Sequence, residues 1–142
     1  MFKFNALKLA AVFAIALTAS LSAQSKSASK PIVHDLTIKA ADGGVYTGTM
    51  EMATVKGKVT GTLHITKPTE IKAAVEGTSE KGALKLDFRY TMTERNCQGT
   101  VRMDLKTAAK AGAPTTGTME AIGCGRDQSN KLTGLVELVP VK

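Results

Sequence analysis

The segment Lys58–Lys67 reads KVTGTLHITK. Apolar side chains occupy alternate positions at Val59, Leu63 and Ile65, and Gly61 falls in the same phase. A period of two places these residues on one face of a β-strand and the polar residues between them on the other face. The segment therefore predicts a half-buried strand with a glycine in its buried face.

Similar alternation recurs along the chain after Pro31, and Gly, Pro, Asp or Lys-Gly turn residues separate most of the segments. Thr107–Pro114 is a longer connection in which Gly112 makes a stable helix improbable. The pattern predicts eight strands: Ile32–Lys39, Val45–Ala53, Lys58–Lys67, Glu70–Thr78, Ala83–Met92, Cys97–Lys106, Thr115–Cys124 and Lys131–Val139.

Six of these strands carry a central glycine in the apolar phase, namely Gly48, Gly61, Gly77, Gly99, Gly117 and Gly134. A missing side chain on the inner face lets a strand bend sharply and lets facing walls approach. Closure of a small sheet requires both, although ordinary β-rich composition is an alternative explanation of the repeats. We predict an all-β domain over residues 31–142, an eight-stranded antiparallel up-and-down β-barrel.

The predicted inner face is apolar and the outer face collects nearly every charged residue of the strands. A shift of one residue in register would bury several of those charges, which is unfavourable. We expect Leu, Ile, Val and Met to fill the barrel, with a ligand cavity as the alternative. For that alternative, the candidate ligand-binding residues of the interior are His34, Tyr46, Phe88, Tyr90 and Met103.

The first 23 residues have the three parts of a secretory signal peptide. Lys3 and Lys8 are followed by the apolar run Leu9–Leu17 and by small residues up to Ala23. The apolar run is too short for a stable membrane span, although an uncleaved anchor or a surface helix is the alternative. We predict cleavage near Ala23, a flexible leader over residues 24–30, and export to the periplasm or the medium.

The exported part is basic. Without Lys3 and Lys8, 17 of the 19 basic residues remain against 12 acidic residues, a net charge of +5. This balance suits contact with acidic polymers or anionic lipid. We expect no nucleic-acid partner, because no Lys/Arg cluster is interleaved with aromatic residues.

Cys97 and Cys124 are the only cysteines of the chain. In an exported protein they predict a disulfide, which would join the sixth and seventh strands. The apolar faces pair Met103 with Met119, one residue out of step with the cysteines, so we expect a bulge near Gly123 or Gly125. A redox-active or metal-binding pair is the alternative, but neither CxxC nor a nearby His supports it.

The signal peptide, the eight short strands and the polar outer face together resemble the calycin-like barrels, the lipocalin and avidin types. The resemblance is one of architecture and covers the whole mature chain. It implies an exported barrel with room for one small ligand. The chain contains no Trp, so neither the lipocalin Gly-x-Trp motif nor the Trp-lined biotin pocket carries over. A membrane-spanning barrel is disfavoured because its outer face would be apolar.

No catalytic set is visible in the sequence. The strand carboxylates fall on the outer face, Gly-x-Ser-x-Gly is absent, and no His, Cys and carboxylate grouping has metal-ligand spacing. We therefore expect a non-enzymatic protein without metal or cofactor that binds a small apolar molecule. The alternative is a structural or interaction protein of the cell envelope that acts through its basic outer surface.

Overall fold

The structure is a computed structural model that describes residues 30–142. The predicted signal peptide and all but the last residue of the predicted leader lie outside the described residues. None of residues 30–142 belongs to a helix long and apolar enough to span a membrane. The described part forms eight strands: β1 (Ile32–Ala40), β2 (Val45–Val55), β3 (Lys58–Lys67), β4 (Ile71–Glu80), β5 (Ala83–Met92), β6 (Cys97–Lys106), β7 (Thr115–Gly123) and β8 (Leu132–Pro140).

Each strand pairs antiparallel with its neighbours in sequence, and β8 pairs with β1 to close the barrel. Closure leaves no sheet edge with unpaired backbone groups. The predicted all-β, eight-stranded antiparallel barrel is confirmed, and it is compatible with calycin-like architecture. The observed strands begin and end within two residues of the predicted bounds.

Side chains alternate between lumen and solvent as predicted. Among residues 30–142 the buried residues are apolar or aromatic, and no charged residue is buried. Ile32 has the same phase in β1 as the buried Leu36 and Ile38, but it is 53 % exposed because it lies at the very start of the strand. The buried core consists of Leu36, Ile38, Ala40, Met50, Met52, Val59, Leu63, Ile65, Ile71, Val75, Leu84, Leu86, Phe88, Tyr90, Val101, Met103, Leu105, Met119, Ala121, Leu132, Val136 and Leu138.

The inward glycines let neighbouring strands approach each other. A Cβ on Gly117 would lie 2.7 Å from Cα of Leu105, its partner on β6, and a Cβ on Gly61 would lie 3.0 Å from Cα of its partner Met52. Real Cβ atoms rarely approach backbone so closely. The nearest atoms that these Cβ atoms would meet belong to the paired strand.

The two halves of the barrel differ in their connections. The hairpin half is the one that ends in the two-residue turns Lys56-Gly57 and Lys81-Gly82, whose four residues all have positive φ. Such turns match the twist of the flanking strands. The disulfide half is the opposite one, and its loops comprise residues 41–44, 68–70, 93–96 and 124–131. Up-and-down order brings these four loops to one end of the barrel.

Candidate ligand-binding cavity

A cavity of about 410 Å³ occupies the lumen of the disulfide half. Its volume lies within the range of small-molecule binding sites, roughly 300–1,000 Å³. The interior, expected to be solid, is therefore open to solvent at this end of the barrel. The apolar wall of the cavity consists of Ile38, Leu63, Ile65, Ile71, Phe88, Met92, Val101, Met103, Met119, Ala121 and Leu132.

Four of the five candidate ligand-binding residues line this cavity: Tyr46, Phe88, Tyr90 and Met103. His34 does not. It lies near the start of β1, opposite Met50 and Pro140, in the hairpin half. Its Nδ1 atom is buried without a hydrogen-bond partner among the described residues. The structure thus separates His34 from the other candidates, whose role in binding stays a prediction.

Tyr90 lies flat against the barrel wall. Its partner on β6 is Gly99, and a Cβ on Gly99 would be 2.5 Å from Cζ of the Tyr90 ring. The Tyr90 hydroxyl donates a long hydrogen bond of 3.4 Å to the carbonyl oxygen of Ile122 on β7. Because Gly99 and its own partner Gly123 have no side chains, the ring covers the wall and leaves the lumen open.

Burial raises the pKa of the Tyr90 phenol above its ordinary value of 10.0, and the positive charge of Arg126 opposes part of that rise. At neutral pH the phenol therefore stays protonated and keeps its O–H donor. Tyr46 also lines the cavity, half-buried against the core. The two phenols are hydrogen-bonding groups in a wall that is otherwise largely apolar.

The mouth of the cavity carries four charged residues from three loops. Asp42 lies in the β1–β2 loop, Glu94 and Arg95 in the β5–β6 loop, and Arg126 in the β7–β8 loop. Nη2 of Arg126 lies 3.3 Å from Oδ2 of Asp42, so this pair bridges two loops across the rim. Arg126 also donates through Nη1 to the carbonyl oxygen of Asn130 at 3.4 Å.

The β7–β8 loop that supplies Arg126 is ordered by its own side chains. Oδ1 of Asp127 accepts hydrogen bonds from the backbone N–H groups of Ser129, at 2.9 Å, and Asn130, at 3.2 Å. The Ser129 hydroxyl donates to the same oxygen. The Ser129 hydroxyl first, and then these backbone groups, hold the pKa of Asp127 below its ordinary value of 3.8.

The predicted disulfide between Cys97 and Cys124 is present, with Cα atoms 5.3 Å apart. Met103 pairs with Met119 as expected, and the pairing of β6 with β7 continues to Gly99 and Gly123. The register of the methionines and the position of the cysteines differ by one residue, and a bulge near Gly123 or Gly125 was expected to reconcile them. A turn that follows the end of β7 at Gly123 reconciles them instead. Gly123, Cys124 and Gly125 all have positive φ, and Gly123 forms a bridge with Arg126.

The sequence interpretation missed the rim residues Asp42, Thr69, Glu94, Arg95 and Arg126. None of them belongs to a strand, so the period-two pattern says nothing about them. A usable signal existed, because up-and-down order places alternate loops at the same end of a barrel. The charged loop residues at that end are candidates for the mouth of any cavity.

The cavity combines a wall of apolar side chains with charged residues at its rim. The carboxylates that line the cavity, Asp42 and Glu94, belong to exposed rim residues, and Asp42 is already paired with Arg126. Within residues 30–142 no group of three or more His, Cys, Asp or Glu side chains could hold a metal ion. What the cavity offers is an apolar wall with a few hydroxyl groups.

No family model, curated protein or solved structure matches this chain. The fold therefore stands on the strand pairing described above.

Proposed function

We propose that the chain is an exported, non-enzymatic binding protein that holds one small apolar or amphipathic molecule in the disulfide half of its barrel. The observation that carries this proposal is the cavity of about 410 Å³, with its apolar wall and its mouth at one end. An interior left open forgoes packing contacts that a filled one would make. A ligand of suitable size would restore them.

Export is part of the proposal. The disulfide between Cys97 and Cys124 is consistent with an oxidising compartment such as the periplasm or the medium. The small residues before Gln24 are consistent with a signal-peptide cleavage site.

The test uses a neutral fluorescent probe, N-phenyl-1-naphthylamine, and native mass spectrometry of protein purified from its own host. We expect the wild-type protein to bind the probe in a one-to-one ratio or to carry a co-purified small molecule. Ala121→Phe would fill the lumen, because Ala121 lines the cavity. It should abolish probe binding.

The matched control is Ala74→Phe, which makes the same change on the outward face of β4, where Ala74 is exposed. It should bind the probe like the wild type. If the wild-type protein binds no probe and carries no molecule, the proposal is wrong.

A second candidate function is a structural or interaction role in the cell envelope, favoured by the net charge of +5 after removal of the first 23 residues. Binding to vesicles of anionic lipid or to an acidic polymer would test it. We expect such binding, if it occurs, to weaken steeply with salt. It should be unchanged in Ala121→Phe, since that side chain lies in the lumen.

A further inference from the structure

The two ends of the barrel differ in charge. The hairpin end is formed by the turns Lys56-Gly57 and Lys81-Gly82, the connection over residues 107–114, and the first and last described residues. With one strand residue counted on each side, the connections at the cavity mouth balance: Lys67, Arg95, Arg126 and Lys131 stand against Asp42, Glu70, Glu94 and Asp127. Counted in the same way, the hairpin end carries Lys30, Lys56, Lys58, Lys81, Lys106, Lys110 and Lys142 against Glu80.

The connections at the hairpin end are joined to one another. The Ser79 N–H donates to the Gly57 carbonyl oxygen at 2.8 Å, which links the β2–β3 turn to the end of β4. The Thr107 N–H donates to the Gly82 carbonyl oxygen at 2.9 Å, which links the β4–β5 turn to the start of the next connection. The lysines of these connections therefore belong to one continuous surface.

The charges of this surface are not neutralised within the molecule. All seven lysines are exposed. The ion pairs within residues 30–142 lie at the cavity mouth or on the barrel wall, and none of them includes a lysine of the hairpin end. A patch of like charge that is not paired internally attracts a partner of the opposite sign.

Two of these lysines occupy positions where the backbone favours other residues. Lys56 and Lys81 each come first in a two-residue turn, with φ of 50° and 49°. Such turns favour Asn, Asp or Gly at this position, because most side chains are strained at positive φ. The same unfavourable choice in both turns indicates that the positive charge itself has a use there.

Exposed apolar side chains lie at the same end. Ile32 is 53 % exposed, Val33 38 % and Val141 50 %. The Val141 N–H donates to the Val33 carbonyl oxygen at 2.9 Å, so the start of β1 adjoins the residues that follow β8. Apolar side chains beside lysines suit a lipid–water interface, where the former enter the acyl boundary and the latter contact phosphate groups. An acidic polymer would use only the lysines.

We propose that the hairpin end docks on a bilayer that contains anionic phospholipid. The lysines contact the phosphate groups, Ile32, Val33 and Val141 enter the interface, and the cavity mouth at the opposite end faces the aqueous phase. The inference goes beyond the proposed ligand binding and does not depend on it. It gives the interaction role considered above a defined surface and one partner.

The first test is cosedimentation of the wild-type protein, with its disulfide intact, with two kinds of vesicle. One kind contains three parts phosphatidylcholine to one part phosphatidylglycerol, and the other contains phosphatidylcholine alone. At about 0.1 M salt we expect at least roughly tenfold stronger binding to the anionic vesicles. Binding should fall steeply towards about 1 M salt, where the screening length shortens to about 3 Å.

The second test removes charge without endangering the fold. Lys56→Asn/Lys81→Asn places in both turns a residue that tolerates positive φ well, so the variant should be at least as stable as the wild type in urea. Its affinity for the anionic vesicles should fall by roughly tenfold to thirtyfold, since each lysine at such a surface contributes about fivefold. The matched control is Lys39→Gln/Lys67→Gln, which removes the same charge from exposed residues at the mouth ends of β1 and β3. It should bind within about twofold of the wild type.

The third test separates a bilayer from an acidic polymer. Ile32→Thr/Val141→Thr keeps β-branched side chains but should weaken vesicle binding by about threefold to tenfold, because less apolar surface enters the interface. Its binding to poly-L-glutamate should be unchanged. Val45→Thr/Leu135→Thr is the control, since Val45 and Leu135 are exposed apolar residues away from the hairpin end. It should bind vesicles like the wild type.

Each contrary result has its own meaning. Equal binding of the wild type to both kinds of vesicle, or to neither, overturns the inference. So does wild-type affinity in Lys56→Asn/Lys81→Asn, or an equal loss in its mouth-end control. If Ile32→Thr/Val141→Thr binds the anionic vesicles as tightly as the wild type, the partner is an acidic polymer and docking on a bilayer is wrong. None of these results bears on the cavity, whose function the binding of N-phenyl-1-naphthylamine decides separately.

Discussion

The hairpin half and the disulfide half of the barrel share one sequence pattern but differ in how they are filled. Of the seven large side chains that are most completely buried, Leu36, Met50, Val59, Val75, Leu86 and Leu138 do not line the cavity. Only Met103 does. The lumen of the disulfide half instead encloses about 410 Å³.

The difference comes from side-chain shape and from the connections. In the disulfide half Gly99 pairs with Gly123, and the Tyr90 ring lies flat on that wall. The four loops there are three to eight residues long. At the hairpin end two turns have only two residues, and the third connection, residues 107–114, has eight. Alternation of apolar and polar residues thus decides which side chains point inward, but not whether they meet at the centre.

The largest expected effect is a contrast between two leucines. Leu138→Ala in the hairpin half should lower the free energy of unfolding by about 4 kcal/mol, because a new void opens among packed neighbours. Leu63→Ala should cost only about 2 kcal/mol, since Leu63 already borders the cavity and loses fewer contacts. Urea unfolding with the disulfide intact measures both. Equal losses would contradict the contrast between the halves.

Removal of the disulfide should have the next largest effect. The bond spans 27 residues, so the double variant Cys97→Ser/Cys124→Ser should lose about 3.5 kcal/mol through the entropy of the unfolded chain. Reduction of the wild-type protein should give the same loss. In the reduced protein, hydrogen exchange should accelerate first at the Cys124 amide, which donates to the Gln98 carbonyl oxygen. It should accelerate later at the ends of β2 and β3 that meet at the Lys56-Gly57 turn.

Glycine substitutions should also differ between the halves. Gly117→Ala should cost about 2–3 kcal/mol, because its Cβ would lie 2.7 Å from Cα of Leu105 and the strands would have to separate. At Gly134, in the disulfide half, the nearest Cα, that of Ala40, would be 3.2 Å away, so Gly134→Ala should cost about 1 kcal/mol. Thermal unfolding of both variants measures the difference, and the reverse order would contradict this account.

The smallest expected effect is a response of the disulfide half to acid. The His64 side chain, whose Nε2 lies 3.5 Å from Oε2 of Glu70, and then Lys72 hold the pKa of Glu70 below its ordinary value of 4.5. The pKa of Asp127 is also lowered, by hydrogen bonds within its loop. Both groups bind protons more weakly when folded, so their contribution is present above the ordinary pKa and is lost as the pH falls through the lowered value.

The measurement for this response is thermal unfolding between pH 7 and pH 2.5. Glu70→Gln should be slightly less stable than the wild type at pH 7, and the difference should vanish near the acid end of that range. Glu80→Gln is the control, because Glu80 is exposed at the opposite, hairpin end of β4. If the difference in unfolding temperature between Glu70→Gln and the wild type increased as the pH fell, the prediction would be contradicted.

Much of the fold could be predicted because strand alternation is a local property. Val59, Leu63 and Ile65 alternate with polar residues within one short segment, which is enough to identify the buried face. Burial of the opposite face would leave several charged side chains unpaired in the core, which is unfavourable. The pairing of Met103 with Met119 could be predicted from the same phase. The Cys97–Cys124 bridge was predicted instead from the presence of only two cysteines in a chain expected to be exported. The cavity could not, since its volume depends on how side chains from eight strands meet.

The candidate site was predictable only in part, for a related reason. Tyr46, Phe88, Tyr90 and Met103 lie on the inner face and could be chosen from the pattern, but so could His34, which belongs to the other half. Height along the barrel axis depends on the register between strands. Thr69 lies in a loop, where no periodicity indicates direction.

The sequence by itself determined the strands and their inward and outward faces, because these depend on local periodicity and on the cost of burying charge. It also predicted the closure of the sheet from the inward glycines and the partner of each cysteine from the presence of only two. Only the tertiary structure decided that the lumen is open at one end and that Asp42 meets Arg126 at its mouth. Those outcomes depend on distances between residues that are remote in sequence, which only the closed barrel brings together.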